Sequence, residues 1–198
     1  MKRDINFLLV GVGGQGILTA SDIVASVGLK AGYDAKKSEV HGFSQRGGVV
    51  ESHVRWSDDV GAPTSEKGTV DYLIATELLE TARWIEWLRP QGVALINQQR
   101  VAPMSVTVGD EVYPDEEDIL ACVYTRTDDV TQVEALATAE RLGNPRLANT
   151  VLLGALSTRL DASSKTWLEV IAQRVPPKYV ELNHEAFWEG RRAMASEE

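Results

Sequence analysis

The chain opens on an unbroken apolar run, Ile5 to Val10. It stops at Gly11, Gly13, Gly14 and Gly16 and is followed by Ile17, Leu18, Ala20, Ile23, Val24 and Val27 at helical spacing. That order predicts strand, tight turn and helix. Gly28 and Gly32 close the helix, and Tyr33 to Val40 supply a second strand carrying Lys36 and Lys37. After the loop His41 to Gly48, the residues Val49, Glu51, His53 and Arg55 alternate with Val50, Ser52, Val54 and Trp56. A period of two is strand-like, here with one wetter face. Asp, Gly, Pro and Ser residues from Ser57 to Gly68 mark a surface loop, and Tyr72 to Ala75 a buried strand. A helix from Glu77 to Leu88 is expected next, ended by Pro90-Gln91-Gly92, and then a short strand from Val93 to Asn97.

Beyond Asn97 the pattern predicts β character from Pro103 to Tyr113, an acidic turn or helix start at Asp115 to Asp118, and a strand from Ile119 to Tyr124. The last third is helical in period: Val130 to Leu142, Arg146 to Leu160, Trp167 to Arg174 and Pro177 to about Met194. Asn144-Pro145 and Pro176-Pro177 act as breaks. Alternating strands and helices through residue 97 predict an α/β fold. Its sheet is open, mainly parallel and Rossmann-like, with helices on both faces, and the C-terminal third is helical. No repeat or linker divides the sequence, so residues 1–198 read as one domain.

Composition narrows the function classes. The 20 Lys and Arg against 29 Asp and Glu give a net charge of −9, which argues against nucleic acid as the main partner, since phosphate backbones need clustered cations. The apolar N-terminal stretch is far too short to span a membrane. A single cysteine, Cys122, precludes a disulfide within the chain and leaves no Cys-ligated iron–sulfur cluster or Cys-based zinc site that it could build alone. Lying in the run Ile119 to Tyr124, Cys122 reads as a small buried hydrophobe, and the protein as cytoplasmic. The three histidines at 41, 53 and 184 lack ligand spacing, so no metal site is expected. His53, inside a strand, reads as structural.

Two segments carry candidate chemistry. Gly11-Val12-Gly13-Gly14-Gln15-Gly16 fits G-x-G-x-x-G directly after a buried strand and at the opening of a helix. There the glycines permit a tight turn and the helix N-terminus offers N–H groups to an anion. In the bland alternative the glycines only let strand and helix pack closely. No clean acidic residue ends the second strand to hold a ribose, and Lys36 and Lys37 flank that position. The second segment, Ser38 to Gly48, should emerge at the same sheet edge, where Arg46 between glycines can present a planar fork to phosphate or carboxylate. Trp84, Trp87, Trp167 and Trp188 read as core or subunit contacts. There is no Gly-x-Ser-x-Gly elbow and no paired carboxylate constellation, so no catalytic residue is identified.

Three stretches together resemble a known family. Gly-Val-Gly-Gly-Gln-Gly at 11–16, Ser-Glu-Val-His-Gly-Phe-Ser-Gln-Arg-Gly-Gly at 38–48 and Asn-Pro-Arg-Leu-Ala-Asn-Thr-Val-Leu-Leu-Gly-Ala at 144–155 are similar to the gamma-type domain of the 2-oxoacid:ferredoxin oxidoreductases. The loop form His-Gly-x-x-Gln-Arg-Gly-Gly looks like the indolepyruvate branch rather than the pyruvate or 2-oxoglutarate branch. The resemblance implies a small subunit paired with a large one that holds thiamine diphosphate and iron–sulfur clusters. The assembly would oxidise an aryl pyruvate to its acyl coenzyme A ester and pass the electrons to ferredoxin. It further implies that this chain contacts coenzyme A, with Gly11, Gly13, Gly14, Gln15, Gly16, Arg46, Gly47 and Gly48 as binding residues, together with Asn149 and Thr150. Lys36 and Lys37 are the alternative phosphate ligands. The rival readings are the gamma subunit of another 2-oxoacid:ferredoxin oxidoreductase, acting on pyruvate or 2-oxoglutarate, a free-standing nucleotide-binding regulatory module, and a structural adaptor in a redox complex whose glycines only pack.

Overall fold

The computed structural model describes residues 4–41, 48–109 and 111–195. Among these, six strands form one sheet: β1 (Ile5–Val12), β2 (Asp34–His41), β3 (Val49–Ser57), β4 (Val70–Ala75), β5 (Leu88–Asn97) and β6 (Val130–Val133), in the order β2-β3-β1-β4-β5-β6. β1, β4, β5 and β6 run parallel. β3 lies antiparallel between β1 and β2, so β2 points the same way as β1 and its carboxyl end reaches the edge where the glycine turn sits. The helices are α1 (Ile17–Lys30), α2 (Leu78–Trp84), α3 (Met104–Thr107), α4 (Glu116–Tyr124), α5 (Ala135–Arg141), α6 (Ala148–Ser157), α7 (Ser164–Arg174) and α8 (Val180–Ala195).

Successive side chains of a strand face opposite sides of a sheet, and a strand covered on both sides must be apolar at every position. β1 shows this directly. Ile5, Phe7 and Leu9 enter a core shared with Val24 of α1, Val151 of α6, Trp167 of α7 and Phe187 of α8. Leu8 and Val10 enter a second core with Leu78 of α2 and Ile119 and Val123 of α4. The helical third is therefore built onto the sheet through α6, against which α8 lies. A Cβ added at Gly154 would meet the Phe187 carbonyl at 2.1 Å. Trp167 is buried, whereas Trp188 stays 40% exposed.

Five expectations from the pattern are corrected. Ile119 to Tyr124 is not a strand but most of α4: Ile119 and Val123, four apart, bury one helix face, and Glu116, Glu117 and Asp118 fill a first turn that favours negative charge. A short apolar run fits either element until something covers one face. Cys122 points away from that face and is exposed, not buried. Val130 to Leu142 is not one helix, because Val130–Val133 pairs with β5 as β6 before α5 begins. The helix expected to run to Leu88 gives way after α2 to a single 3₁₀ turn, Ile85–Trp87, and Pro90-Gln91-Gly92 lies inside β5. There Leu88 pairs with Val70 and Val93 with Tyr72, so the extra residues bulge, and Gln91 takes φ 60°. Pro103 to Tyr113 contains the short α3 rather than a strand.

Candidate functional site

The turn between β1 and α1 divides the motif glycines by task. Gly14 and Gly16 hold φ of 102° and 80°, values open to glycine and strained for other residues. Gly16 is also the N-cap of α1 and has no side chain to bond the first-turn N–H groups, which are left for other acceptors. Gly11 serves close approach instead: a Cβ there would meet the Thr76 hydroxyl at 2.0 Å. The N–H of Gly13 donates to the carbonyl of Gly48 at 2.8 Å, which joins the turn to the end of the adjacent loop.

Only part of this turn faces a cavity. A cleft of about 540 Å³ opens at the carboxyl ends of β4 and β5. Gly14, Gln15 and Gly16 border one side, Thr76, Asn97 and Gln99 the floor, and Asn149 and Thr150 of α6 the far side. Ligands of open α/β sheets bind at this edge. The Asn149 amide donates to the carbonyl of Gln15 at 2.6 Å, so α6 is tied to the turn. Thr150 is buried, and its hydroxyl donates to Asn183 Oδ1 at 2.7 Å. Two cations complete the lining. Arg146 is exposed and forms no ion pair with another described residue, and Arg174, also exposed, donates to the Ser26 hydroxyl at 2.8 Å.

The Gln15 side chain is engaged within the protein and shapes the turn. Its Oε1 accepts from the N–H of Val12 at 2.7 Å and from the Thr76 hydroxyl at 2.7 Å, and its Nε2 donates to Gln99 Oε1 at 3.0 Å. Behind this floor sits a buried carboxylate. Glu77 caps α2 by accepting from the Glu80 N–H at 2.9 Å, and it also accepts from the Val101 N–H at 3.0 Å and the Tyr113 hydroxyl at 2.6 Å. Burial and the Glu77 carboxylate hold the Tyr113 hydroxyl above the ordinary range for loss of its proton, so it stays a donor.

Of the residues expected from sequence, Gly14, Gln15, Gly16, Asn149 and Thr150 meet around the cleft. Gly11 and Gly13 build the turn behind it, and Gly48 contacts the turn through its carbonyl. Arg46 and Gly47 lie outside the described residues. Lys36 and Lys37 are engaged elsewhere: Lys36 with Asp34 and the Val60 carbonyl, and Lys37 with Asp22 and Glu39. Thr76, Asn97, Gln99, Arg146, Arg174 and Asn183 escaped the sequence reading, because they are single polar residues at strand and helix ends with no motif spacing. Arg146 had a signal, standing inside the Asn144 to Ala155 stretch. His53 is buried, accepts from the Ser65 N–H at 3.4 Å and packs its ring on Trp87.

The cleft combines a helix N-terminus and two exposed guanidinium groups with apolar walls from Ile23, Leu136, Leu153 and Val175, an arrangement suited to an anion that carries a less polar extension. Among the described residues no group of three or more His, Cys, Asp or Glu side chains could hold a metal ion. No helix among them is long and apolar enough to cross a membrane.

Comparison with known proteins agrees with this architecture. The family model for pyruvate ferredoxin/flavodoxin oxidoreductase matches residues 6–193. Indolepyruvate oxidoreductase subunit IorB of Pyrococcus horikoshii is 37% identical over 194 residues, covering 96% of each chain. The gamma subunit of a keto/oxoacid ferredoxin oxidoreductase from Geobacter sulfurreducens superposes with a TM-score of 0.71 at 24% identity, over 97% of this chain and 99% of that one. The 2-oxoglutarate:ferredoxin oxidoreductase of Magnetococcus marinus, solved with 2-oxoglutarate, coenzyme A and succinyl-CoA bound, gives a TM-score of 0.75 at 22% identity, over 99% of this chain and 32% of that one.

Proposed function

Because the chain belongs to the pyruvate ferredoxin/flavodoxin oxidoreductase family, we propose that it is the small subunit of an indolepyruvate:ferredoxin oxidoreductase, the branch to which its 37%-identical relative is assigned. In this reading the assembled enzyme decarboxylates an aryl pyruvate oxidatively, joins the acyl group to coenzyme A and delivers two electrons to ferredoxin in the cytoplasm. The large subunit carries thiamine diphosphate, which supplies the electron sink for decarboxylation, and the iron–sulfur clusters that pass single electrons. With one cysteine in the whole sequence, this chain does not fit as the holder of a Cys-ligated cluster.

What this chain contributes is the coenzyme A side of the site. The observation that carries the reading is the cleft itself, where the free N-terminus of α1, Arg146 and Arg174 border one cavity. Phosphates are acceptor-only anions, and such donors bind them without any proton being moved. The first-turn N–H groups of α1 and the two guanidinium groups fix the nucleotide end, Asn149 holds the turn in shape, and α6 walls the cleft. Arg46 and Gly47 are assigned to the same ligand on the resemblance of their loop. Holding the thiol carrier in place raises its effective concentration at the acyl group, which is a catalytic contribution by position alone.

The test is capture of the tagged chain from its native cells without oxygen, followed by an assay of the eluate for dye reduction that requires both indolepyruvate and coenzyme A. Co-purification of a large iron–sulfur protein with that activity is expected. A chain that elutes alone as an inactive homo-oligomer with affinity for nucleotides overturns the reading in favour of a free-standing binding module.

A further inference from the structure

Side-chain amides are ambiguous in isolation, since oxygen and nitrogen can be exchanged by a half-turn. The floor of the cleft removes the ambiguity. The Gln15 amide is oriented by a main-chain donor, the N–H of Val12, which requires Oε1 at that position and so places Nε2 on the opposite side, against the Thr76 carbonyl and Gln99. The Asn97 amide is oriented in the same way by the N–H of Leu136, so its Nδ2 faces the same Thr76 carbonyl at 3.1 Å and Gln99 at 3.3 Å. Gln99 thus receives donors from two amides that are each anchored to the backbone, and the atom between them must be its oxygen. Its main-chain carbonyl is also pinned, accepting from the Leu78 N–H at 2.9 Å. One group remains. The Nε2 of Gln99, with two N–H donors, has no hydrogen-bond partner among the described residues, and Gln99 lines the cleft.

We propose that Gln99 is a ligand-binding residue of the cleft, whose amide is locked by Gln15 and Asn97 so that its NH₂ group donates to an oxygen of the bound molecule that can only accept. Gln15 and Asn97 are the positioning residues. This rests on the reading of the cleft as a coenzyme A site, and that molecule offers such oxygens as phosphates and as the carbonyls of its pantetheine arm. A group that itself donates would meet a donor here and be rejected, so the lock confers selectivity as well as affinity.

The experiment compares wild type with Gln99→Glu and Gln99→Leu in the assembled enzyme, measuring KM for coenzyme A, KM for the oxoacid, and the Kd of adenosine 3′,5′-bisphosphate, which has the phosphates but not the arm. Gln99→Glu keeps the acceptor for Gln15 and Asn97 but turns an acceptor toward the cleft. It should raise KM for coenzyme A about tenfold or more with the oxoacid KM within about twofold, and the deficit should shrink as the pH is lowered into the carboxylate range. A parallel rise in the Kd of the bisphosphate assigns the bond to a phosphate; an unchanged Kd assigns it to the arm. An unchanged coenzyme A KM in Gln99→Glu overturns the proposal. The Gln99→Leu variant guards against a folding artefact: its coenzyme A KM should also rise, with no pH dependence of the deficit. Wild-type enzyme that shows no dependence on coenzyme A fails the underlying reading instead, before any variant is compared.

Discussion

The side-chain amide of Asn149 donates to the main-chain carbonyl of Gln15 at 2.6 Å, across 134 residues of sequence. The bond joins the first turn of α6 to the turn ahead of α1, the two sides of the cleft. Asn149→Ala removes the donor and leaves both backbones in place. The expected result in the assembled enzyme is a three- to tenfold rise in KM for coenzyme A, with about 1.5 kcal/mol or less lost from the unfolding free energy. Asn149→Asp should be worse than Ala for coenzyme A, because it sets a carboxylate against a carbonyl oxygen beside the proposed phosphate site.

Gly11 and Gly14 should respond differently to a methyl group. At Gly11 the new carbon meets the Thr76 hydroxyl at 2.0 Å, and at Gly14 it meets nothing within 4 Å but sits at φ 102°. Either alanine should cost about 1–3 kcal/mol, from overpacking in one case and backbone strain in the other. A Thr76→Ala background separates them. The cost of Gly11→Ala should fall there, while that of Gly14→Ala should not, as read by urea unfolding of wild type and the five variants in two double-mutant cycles that share Thr76→Ala.

His53 gives the fold a pH dependence of known sign. Burial holds its imidazole below the ordinary 6.5, so the unfolded chain takes up a proton that the folded chain resists. Stability is therefore lost as pH falls through 6.5 and is retained above it. His53→Gln keeps an acceptor for Ser65 and removes the titration. Its deficit in unfolding free energy relative to wild type should narrow between about pH 8 and about pH 5.5. A constant deficit across that range would contradict the assignment.

Tyr113→Phe tests the carboxylate behind the cleft floor. The change deletes the hydroxyl that donates to Glu77 at 2.6 Å and leaves that buried carboxylate with the N–H groups of Glu80 and Val101. A lost bond to a buried charge costs about 1.5–3 kcal/mol. A loss in that range is expected by urea unfolding, with KM for coenzyme A changing less than in the Asn149 variants.

The legible parts of this molecule are those where local chemistry and tertiary role coincide. β1, the glycine turn and α1 follow from an apolar run, residues tolerant of positive φ and a helical period, and the structure has all three where the pattern puts them. α4 was not legible, because Ile119 to Tyr124 is apolar enough for a strand and only the packing of Ile119 and Val123 beside α2 makes it a helix. β6 was hidden for the converse reason: a strand of four residues, Val130–Val133, is created by its pairing with β5 rather than by its own period. The site divides in the same way. Gly14, Gln15 and Gly16 stood in a motif, whereas Thr76, Asn97 and Gln99 are isolated polar residues that only the parallel sheet brings to one floor.

In the proposed role this chain holds the phosphates of coenzyme A in the cleft between α1 and α6. The decisive measurement is steady-state kinetics of the assembled enzyme carrying Arg146→Ala, with Arg46→Ala and Arg174→Ala beside it. An arginine–phosphate bond made in the cleft predicts a rise of about tenfold or more in KM for coenzyme A on loss of Arg146, with KM for indolepyruvate held within about twofold. Equal rises in both constants, or no change in either, would contradict it.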